Sequence, residues 1–342
     1  IFKIIFINLL LLSSGLLALE LITRIILNAK IDLSKPIISA KSLSTAILNN
    51  HSWWHLDNEN FRRQPYPYIM FRGYPNQEDH NHLGFRISEP INRSKINIAL
   101  FAGSTGYLGS PPIINLITNE LNKTTDKVQY SPINFSVVSS NHNQHLHSIV
   151  ENSNNYPIDL IIFYGGYNET LQTAFYDPRP GYPYNFNKRN ELSPEKMLIT
   201  KYFTLYTIYE KLFPSDSKKK VWSKEWSKKI VNNYSNTINK ARLISKVLTT
   251  RRCKVPFIFI YQPFKMDEEY GVDESFRDSV NNPISELAKN SYDGIDLSKV
   301  FQDNKSFYTD IVHLNQKGRE LISTKIINSN IFKQAISSCS LN

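Results

Sequence analysis

The sequence is poor in cysteine: Cys253 and Cys339 are the only two among 342 residues, and they lie far apart. No Cys-x-x-Cys pair is present. A zinc site built on paired cysteines and a framework of several disulfides are therefore both excluded. A single disulfide between the two cysteines stays open at this point.

The sequence also lacks an arginine-rich arm and any motif in which basic and aromatic residues alternate. The chain carries 40 Lys and Arg against 30 Asp and Glu, a formal net charge of +10. This charge suits nucleic acid, an anionic membrane surface or an acidic polymer, so it does not identify a partner by itself. Without the accompanying motifs, we predict no nucleic-acid partner.

Long hydrophobic runs are absent beyond residue 30, but one lies at the start of the sequence. Residues 4–19 are apolar or small apart from Asn8, and the apolar character resumes around Glu20 and Arg24 to end near Leu27. The segment "LLALEL" is a poor signal-peptidase site, which favours an uncleaved anchor over a cleaved signal peptide. A buried core helix is the third alternative. We predict a transmembrane helix over residues 1–28 of a single-pass membrane protein, with the large domain outside the cytoplasm.

The remaining chain divides by pattern into two parts. Residues 29–93 are rich in aromatic residues, His and Pro without clear periodicity, which predicts an irregular juxtamembrane segment. From residue 94 to about 335, apolar strands alternate with helices, which predicts an α/β domain with a five-stranded parallel, doubly wound sheet. The predicted strands are Asn97–Ala102, Asn134–Val138, Leu160–Tyr164, Pro256–Tyr261 and Gly294–Leu297. The predicted helices are Ile113–Asn122, Gln144–Asn152, Asn282–Asn290 and one that begins at about Asn315.

A long interruption, at about residues 170–252, follows the third predicted strand. It contains a Lys-rich amphipathic stretch, which indicates a helical insertion. Ligands of α/β sheets bind at the carboxyl ends of the strands, so an insertion there can form a lid or a substrate wall. A solvated helical hairpin away from the site is the alternative.

The stretch "NIALFAGSTGYLGS", Asn97–Ser110, allows two interpretations. Its glycines resemble the phosphate-binding turn of short-chain dehydrogenases. That interpretation requires an acidic residue at the end of the second strand, which ends instead in serines and amides. It also requires a helical Tyr-x-x-x-Lys pair, but Tyr261 and Lys265 have Pro263 between them. A dinucleotide site is therefore disfavoured.

A nucleophilic serine is the second interpretation, because Ser104 lies at the turn that follows the first strand. The segment "TDIVHLNQKG" supplies Asp310 and His313, whose separation of three puts an acid and a base on one side of a turn. The segments "FYGGYNET" and "NFSVVSSNHNQ" supply two donors for an oxyanion, the Asn168 side chain and the Ser139 backbone N–H. Each signal is weak alone, but all four follow successive elements at one edge.

These four blocks resemble the SGNH, or GDSL-like, hydrolase family over residues 96–330, once the insertion is allowed. The resemblance implies a flavodoxin-like sheet, with Ser104 as nucleophile, His313 as base and Asp310 as the residue that orients the base. It also implies an oxyanion hole formed by the N–H groups of Ser104 and Ser139 and by the Asn168 side chain.

The chain departs from the family pattern at three positions. Ala102 and Glu169 replace glycine and aspartate where no catalytic role is implied, whereas Ser139 replaces a glycine that donates to the oxyanion. The "N-x-x-G-F-R" segment, Asn81–Arg86, also resembles membrane-anchored members of the family.

The function implied is a serine esterase or acyl hydrolase that needs no cofactor and acts on an acylated envelope glycan or lipid. Acetyl removal from a polysaccharide is the first expectation. Transfer of an acyl group onto a sugar hydroxyl by the same residues is one alternative. A non-catalytic glycan-binding or assembly protein that keeps the fold is the other, because of Ser139.

Other residues carry weaker signals. Gln262 ends the fourth strand and is a candidate substrate contact, although a strand-end amide with a structural partner is an equal alternative. A histidine cluster follows the second strand, but no carboxylate or cysteine accompanies it at ligand spacing, so we predict no metal site. The cluster comprises His142, His145 and His147. The earlier histidines, which we expect at the surface or in packing, are His51, His55, His80 and His82.

Overall fold

The structure is a computed structural model. It describes residues 2–26, 63–66, 69–73, 75–76, 80–88, 90–124, 128–175, 180–183, 224–250, 253–265 and 274–340. By their contacts the residues group into two units, one of Ile1–Gln64 and Asn187–Lys219, the other of Pro65–Phe186 and Lys220–Asn342. His51, His55 and most of the predicted insertion lie outside the described residues.

The apolar N-terminal run forms one helix, α1 (Phe2–Ile26), as the sequence predicts. Its stretch Ile5–Thr23 has a mean hydropathy of 2.2 and is long and apolar enough to cross a membrane. The hydroxyl groups of Ser13 and Ser14 donate to the backbone carbonyls of Leu9 and Leu11. The helix therefore satisfies these polar groups internally, as an apolar surrounding requires.

Seven strands and nine further helices follow in the described residues. The strands are β1 (Arg63–Tyr66), β2 (Met70–Gly73), β3 (Ile96–Ala102), β4 (Tyr130–Asn134), β5 (Leu160–Gly165), β6 (Phe257–Tyr261) and β7 (Gly294–Asp296). The helices are α2 (Ser104–Tyr107), α3 (Ile113–Thr124), α4 (His142–Asn152), α5 (Tyr167–Phe175), α6 (Lys224–Val247), α7 (Glu274–Phe276), α8 (Asn282–Asn290), α9 (Gln316–Asn328) and α10 (Asn330–Ser340). A π-helical turn, Arg277–Asn281, joins α7 to α8.

The strands β3 to β7 form a parallel sheet in the order β4-β3-β5-β6-β7. This is the order of flavodoxin-like, doubly wound sheets, so the predicted fold class is confirmed. Every residue of β3, β5 and β6 is buried, as expected of central strands with helices on both faces. The strand order reverses between β3 and β5, and the carboxyl ends of these two strands therefore border a crevice.

The Lys-rich stretch forms α6, which packs against the domain with an apolar stripe. Ile230, Tyr234, Ile238 and Ala241 are buried and follow at helical spacing. The helix contacts α4, α5, α8 and β6. A hairpin that stands off in solvent is therefore the wrong description of this helix, although its lysines are largely exposed.

The second sheet strand begins and ends four residues earlier than predicted: it spans Tyr130–Asn134 instead of Asn134–Val138. Pro132 lies inside it, which β4 accommodates because it is the edge strand of the sheet. The pairing with β3 nevertheless continues, since the N–H groups of Phe135 and Val137 donate to carbonyl groups of β3. The apolar residues after Asn134 thus lie in the sheet layer, as their pattern indicates.

The segment predicted as irregular contains the small two-stranded sheet of β1 and β2. After it, the side-chain oxygen of Asn81 accepts hydrogen bonds from the N–H groups of Leu83 and Phe85. This Asx-type turn ends at Arg86, whose guanidinium donates to the carbonyl groups of Tyr107 and Gly109. The "N-x-x-G-F-R" segment therefore supports the loop that follows β3.

The two cysteines pair. Cys253, just before β6, and Cys339, in the last turn of α10, form a disulfide that closes a loop of 86 residues. It attaches the C-terminal helix to the entrance of a central strand. The possibility that the sequence left open is thus decided in favour of a bond.

We expect the double variant Cys253→Ser/Cys339→Ser to lose about 2–4 kcal/mol of unfolding free energy, because the open chain gains conformational entropy when it unfolds. Urea unfolding of the wild type with and without reductant measures this loss. The double variant is its own control, because reductant should not change its midpoint. A wild-type midpoint that does not respond to reductant would contradict the bond.

Candidate active site

The candidate site lies at the carboxyl edge of the sheet, where the strand order reverses. Ser104 follows β3 after Gly103, and Asn168 follows β5 after a turn at Gly166. His313 lies in the loop before α9, which packs on α3. Three segments that are distant in sequence thus meet at the crevice where such sheets bind ligands.

Ser104, His313 and Asp310 form one continuous hydrogen-bonded chain. His313 Nε2 is 2.7 Å from Ser104 Oγ, and His313 Nδ1 is 2.5 Å from Asp310 Oδ2. The other carboxylate oxygen, Oδ1, accepts from the backbone N–H groups of Val312 and His313 at 2.8 and 2.7 Å. The carboxylate therefore fixes both the orientation of the ring and the shape of the loop.

Asp310 stays ionised in this setting. Partial burial would raise the pKa of its carboxyl group, but the hydrogen bonds from the His313 ring and from two backbone N–H groups outweigh it and lower the pKa to about 2. With Asp310 accepting at Nδ1, the His313 ring has its Nε2 lone pair directed at Ser104. This is the tautomer in which an imidazole can take a proton from a hydroxyl group.

Gln262, the residue after β6, holds the turn that carries Ser104 through a hydrogen bond. The Thr105 hydroxyl donates to Gln262 Oε1 at 2.8 Å, and Gln262 is only 2% exposed. Gln262 thus lies beside the candidate site, but its side-chain oxygen already accepts a hydrogen bond from the turn that carries Ser104. A role in holding this turn fits its geometry better than direct contact with a substrate.

The Asn168 side chain lies beside the backbone of Gly103, next to Ser104. Its Nδ2 donates to the Ser140 backbone carbonyl at 2.7 Å. A Cβ atom at Gly103 would overlap that same nitrogen. Glycine at this position therefore lets the amide approach the turn that carries Ser104, and the second N–H of Nδ2 remains for another acceptor.

Ser139 adopts the left-handed backbone conformation, with φ of +61°. This conformation is routine for glycine and costs other L-residues about 1 kcal/mol or more. The serine has thus kept the backbone shape that glycine would adopt, and it keeps an N–H group. The replacement of glycine by Ser139 is therefore accommodated by a strained backbone conformation at this residue, and the N–H group is kept.

A buried polar cluster lies behind this edge, and the sequence analysis missed its carboxylate. His142 Nδ1 is 3.1 Å from His145 Nδ1 and 3.3 Å from Glu169 Oε1. Sequence spacing could not reveal the cluster, because Glu169 is 27 residues from His142 and joins it only when the first turns of α4 and α5 meet at the sheet edge. His147, by contrast, is exposed on α4 and is not part of the cluster.

The electrostatics of the cluster follow from its complete burial. Desolvation lowers the pKa of His142 to about 3, and it holds the pKa of His145 well below the usual range. Desolvation also raises the pKa of Glu169 to about 7, against hydrogen bonds from the backbone N–H groups of Gly166, Glu169 and His142. Both rings are therefore neutral at neutral pH.

The cluster also has the composition of a metal site. One ligand atom from each of His142, His145 and Glu169 lies within 4.8 Å of the others. Two neutral imidazoles and a carboxylate are ligands that Zn²⁺ accepts, but they are three, whereas a closed structural zinc site supplies four. The reason for predicting no metal, the absence of a carboxylate near the histidines, is therefore wrong.

Comparison with known proteins gives loose structural likenesses only. No protein-family model matches the chain, and no curated protein matches it in sequence. It resembles a lipase/acylhydrolase from Enterococcus faecalis with a TM-score of 0.42 and 14% identity, over 70% of this chain and 96% of that one. It also resembles the acetyl xylan esterase AlAXEase with a TM-score of 0.41 and 14% identity, over 67% and 97% of the two chains.

A third likeness is to the lipase Lip_vut3 from a goat rumen metagenome, with a TM-score of 0.41 and 16% identity over 68% and 95% of the two chains. Scores near 0.4 do not carry an argument about function. The function therefore has to be inferred from the side chains of the site.

We expect Ser139→Gly to raise the free energy of unfolding by about 0.5 kcal/mol, because relief of the left-handed strain outweighs the added entropy of an unfolded glycine. Urea unfolding measures the change. Ser291→Gly is the matched control, since Ser291 has φ of −87° and gains nothing from relief of strain. A loss of stability in both variants would contradict the strain at Ser139.

Proposed function

We propose that the chain is a serine esterase of the SGNH type, which removes an acyl group from an ester. The observation that carries the proposal is the continuous chain from Asp310 through His313 to Ser104, with a 2.7 Å contact at the nucleophile. The loop sequence from Thr309 to His313 supports it, since the Asp310 side chain holds the ring that reaches Ser104.

In this mechanism His313 Nε2 takes the Ser104 hydroxyl proton while Ser104 Oγ bonds to the ester carbonyl carbon. The N–H groups of Ser104, Ser139 and Asn168 stabilise the oxyanion. The C–O bond to the alcohol then breaks, and His313 gives its proton to the departing alkoxide. Water, activated by the same ring, releases the acyl group and restores Ser104.

A small cleft beside His313, the proposed base, suits a small acyl group. A cleft next to His313 is lined by Thr105, Leu108 and Arg319 and has room for about one water-sized group. The methyl group of an acetyl ester is of that size, whereas a long acyl chain is not. We therefore propose acetyl as the acyl group.

A larger cavity of about 280 Å³ is lined mainly by polar and charged side chains and reaches Tyr308, just before the loop that carries Asp310 and His313. Phe264 and Tyr308 contribute aromatic faces, and Lys265 donates its backbone N–H to the Ile311 carbonyl within the loop. An alcohol with many hydroxyl groups fits such a lining better than a lipid does. We propose an acetylated glycan as the substrate.

Two observations support an extracytoplasmic location. The disulfide between Cys253 and Cys339 is a bond that persists in oxidising compartments. The helix α1 is apolar enough to serve as a membrane anchor. We propose that α1 holds the domain at the outer face of the membrane, near an envelope glycan.

We expect a serine-directed phosphonate to label the full-length wild type and not Ser104→Ala, because the variant has no hydroxyl group for His313 to activate. Intact-mass spectrometry of detergent-solubilised protein measures the labelling. Ser110→Ala, an exposed serine in the following loop, is the control and should be labelled like the wild type. Equal labelling of Ser104→Ala would remove Ser104 as nucleophile, and an unlabelled wild type would favour a non-catalytic glycan-binding protein.

We expect the kcat/KM for p-nitrophenyl acetate to exceed that for the octanoate ester by about tenfold or more, because the cleft holds only a methyl-sized group. Leu108→Ala enlarges the cleft and should narrow this preference without abolishing acetate hydrolysis. A wild type that prefers octanoate would contradict the acetyl assignment. Faster acetyl transfer than acetate release when a glycan acceptor is added would identify a transferase instead.

A further inference from the structure

The buried cluster is one part of a longer chain of polar contacts that ends at the candidate site. Its side-chain hydrogen bonds begin at His142, and the Glu169 carboxylate lies 3.3 Å from His142 Nδ1. From Glu169 the contacts pass to His142 and to His145, and His145 Nε2 is 2.7 Å from Ser140 Oγ. The Ser140 hydroxyl donates in turn to the Val137 carbonyl at 2.7 Å. Every side chain along this path is at most 5% exposed.

One assignment of protons satisfies all of these contacts. With Glu169 ionised, its negative charge 3.3 Å from His142 Nδ1 favours a proton on that nitrogen. His142 Nδ1–H then donates to His145 Nδ1, and His145 Nε2–H donates to Ser140 Oγ. The His142 Nε2 is then a lone pair, consistent with the lack of a hydrogen-bond partner for this buried atom among the described residues. The opposite assignment, with the proton of His142 on Nε2, would leave a buried N–H without an acceptor, which costs more free energy than a buried lone pair.

The chain reaches the oxyanion donor through Ser140. The backbone carbonyl of Ser140 accepts the Asn168 amide, while its hydroxyl group is held by His145. At the other end, the Glu169 carboxylate accepts the N–H groups of His142 and Gly166 at 2.8 and 2.6 Å. Asn168 is therefore held from both sides, by its neighbour Glu169 along α5 and by Ser140 before α4.

We propose that Glu169 is a positioning residue: its carboxylate fixes the tautomers of His142 and His145, and through Ser140 these rings hold the carbonyl group that orients Asn168. This deepens the proposed function and rests on it for its catalytic consequence. The hydrogen-bond chain accounts for Ser140 as well as for the cluster, and it needs no fourth ligand. A bound metal ion at the three side chains is the competing account, and the tests below separate the two.

The first test is steady-state hydrolysis of p-nitrophenyl acetate by Glu169→Gln and by His145→Phe. We expect kcat to fall about tenfold with KM nearly unchanged, because an oxyanion donor that is misplaced acts only in the transition state. Asp293→Asn is the matched control. Its buried carboxylate pairs with Arg242 near the opposite edge of the sheet, so it should lose stability but keep kcat. An unchanged kcat in both cluster variants would overturn the proposal.

A double-mutant cycle tests whether the effect passes through Asn168. In the background of Asn168→Ala, Glu169→Gln should lower kcat by less than twofold, because the group that it positions is already absent. Full additivity of the two effects would show that Glu169 acts by another route and would overturn the proposal. His145→Phe repeats the cycle should Glu169→Gln fail to fold.

A spectroscopic test does not depend on hydrolysis. In the ¹⁵N spectrum of histidine-labelled wild type, we expect His145 as the Nε2–H tautomer, and in Glu169→Gln a shift toward the Nδ1–H form. If the wild type is not an esterase but shows this tautomer and its shift, the proposed function fails and the chain of hydrogen bonds stands. A His145 ring that ignores Glu169→Gln, or a stoichiometric metal ion in purified protein, would overturn the chain itself.

Discussion

The contact between His313 Nε2 and Ser104 Oγ is the constraint on which the site depends, because it joins residues 209 positions apart. It forms only if the loop before α9 lies over the turn after β3. The packing of α9 on α3 brings them together, since α3 follows that turn and α9 follows that loop. The sheet and its helices therefore set the distance between the proposed base and the proposed nucleophile.

Local patterns predicted much of the fold and the part of the site formed by Ser104, His313 and Asp310, which we call the outer layer. The turn after β3 and the Asp310–His313 pair are short-range features, so their residues could be named from the sequence. Four of the five strands were found as well, because buried parallel strands are continuous apolar runs. The predicted strand Asn134–Val138 shares only Asn134 with β4. The bounds of β4 were misplaced, because its residues Tyr130–Asn134 include Pro132 and form no continuous apolar run, and nothing local shows that a strand lies at the edge.

The inner layer, which is the buried cluster of Glu169, His142 and His145, could not be predicted, because it depends on contacts between elements. Glu169 follows Asn168 in the chain and could be named only as a departure from the family pattern. Its carboxylate meets His142 because α5 and α4 begin at neighbouring points of the same edge. The pairing of Cys253 with Cys339 is of the same kind, since only the packing of α10 beside the start of β6 brings the two sulfur atoms together.

The two layers differ in exposure, and this difference gives each its physical task. The side chains of Asp310 and His313 are 49% and 23% exposed, so protons can be exchanged with solvent and a substrate can enter. Glu169, His142 and His145 have no such access, and desolvation keeps both rings neutral. A neutral ring with a defined tautomer carries protons poorly, but it can hold a neighbouring group in a fixed position. Ser140 joins the layers, and its neighbour Ser139 carries the backbone strain, as expected where a loop is held on one side by a buried network and on the other by a site.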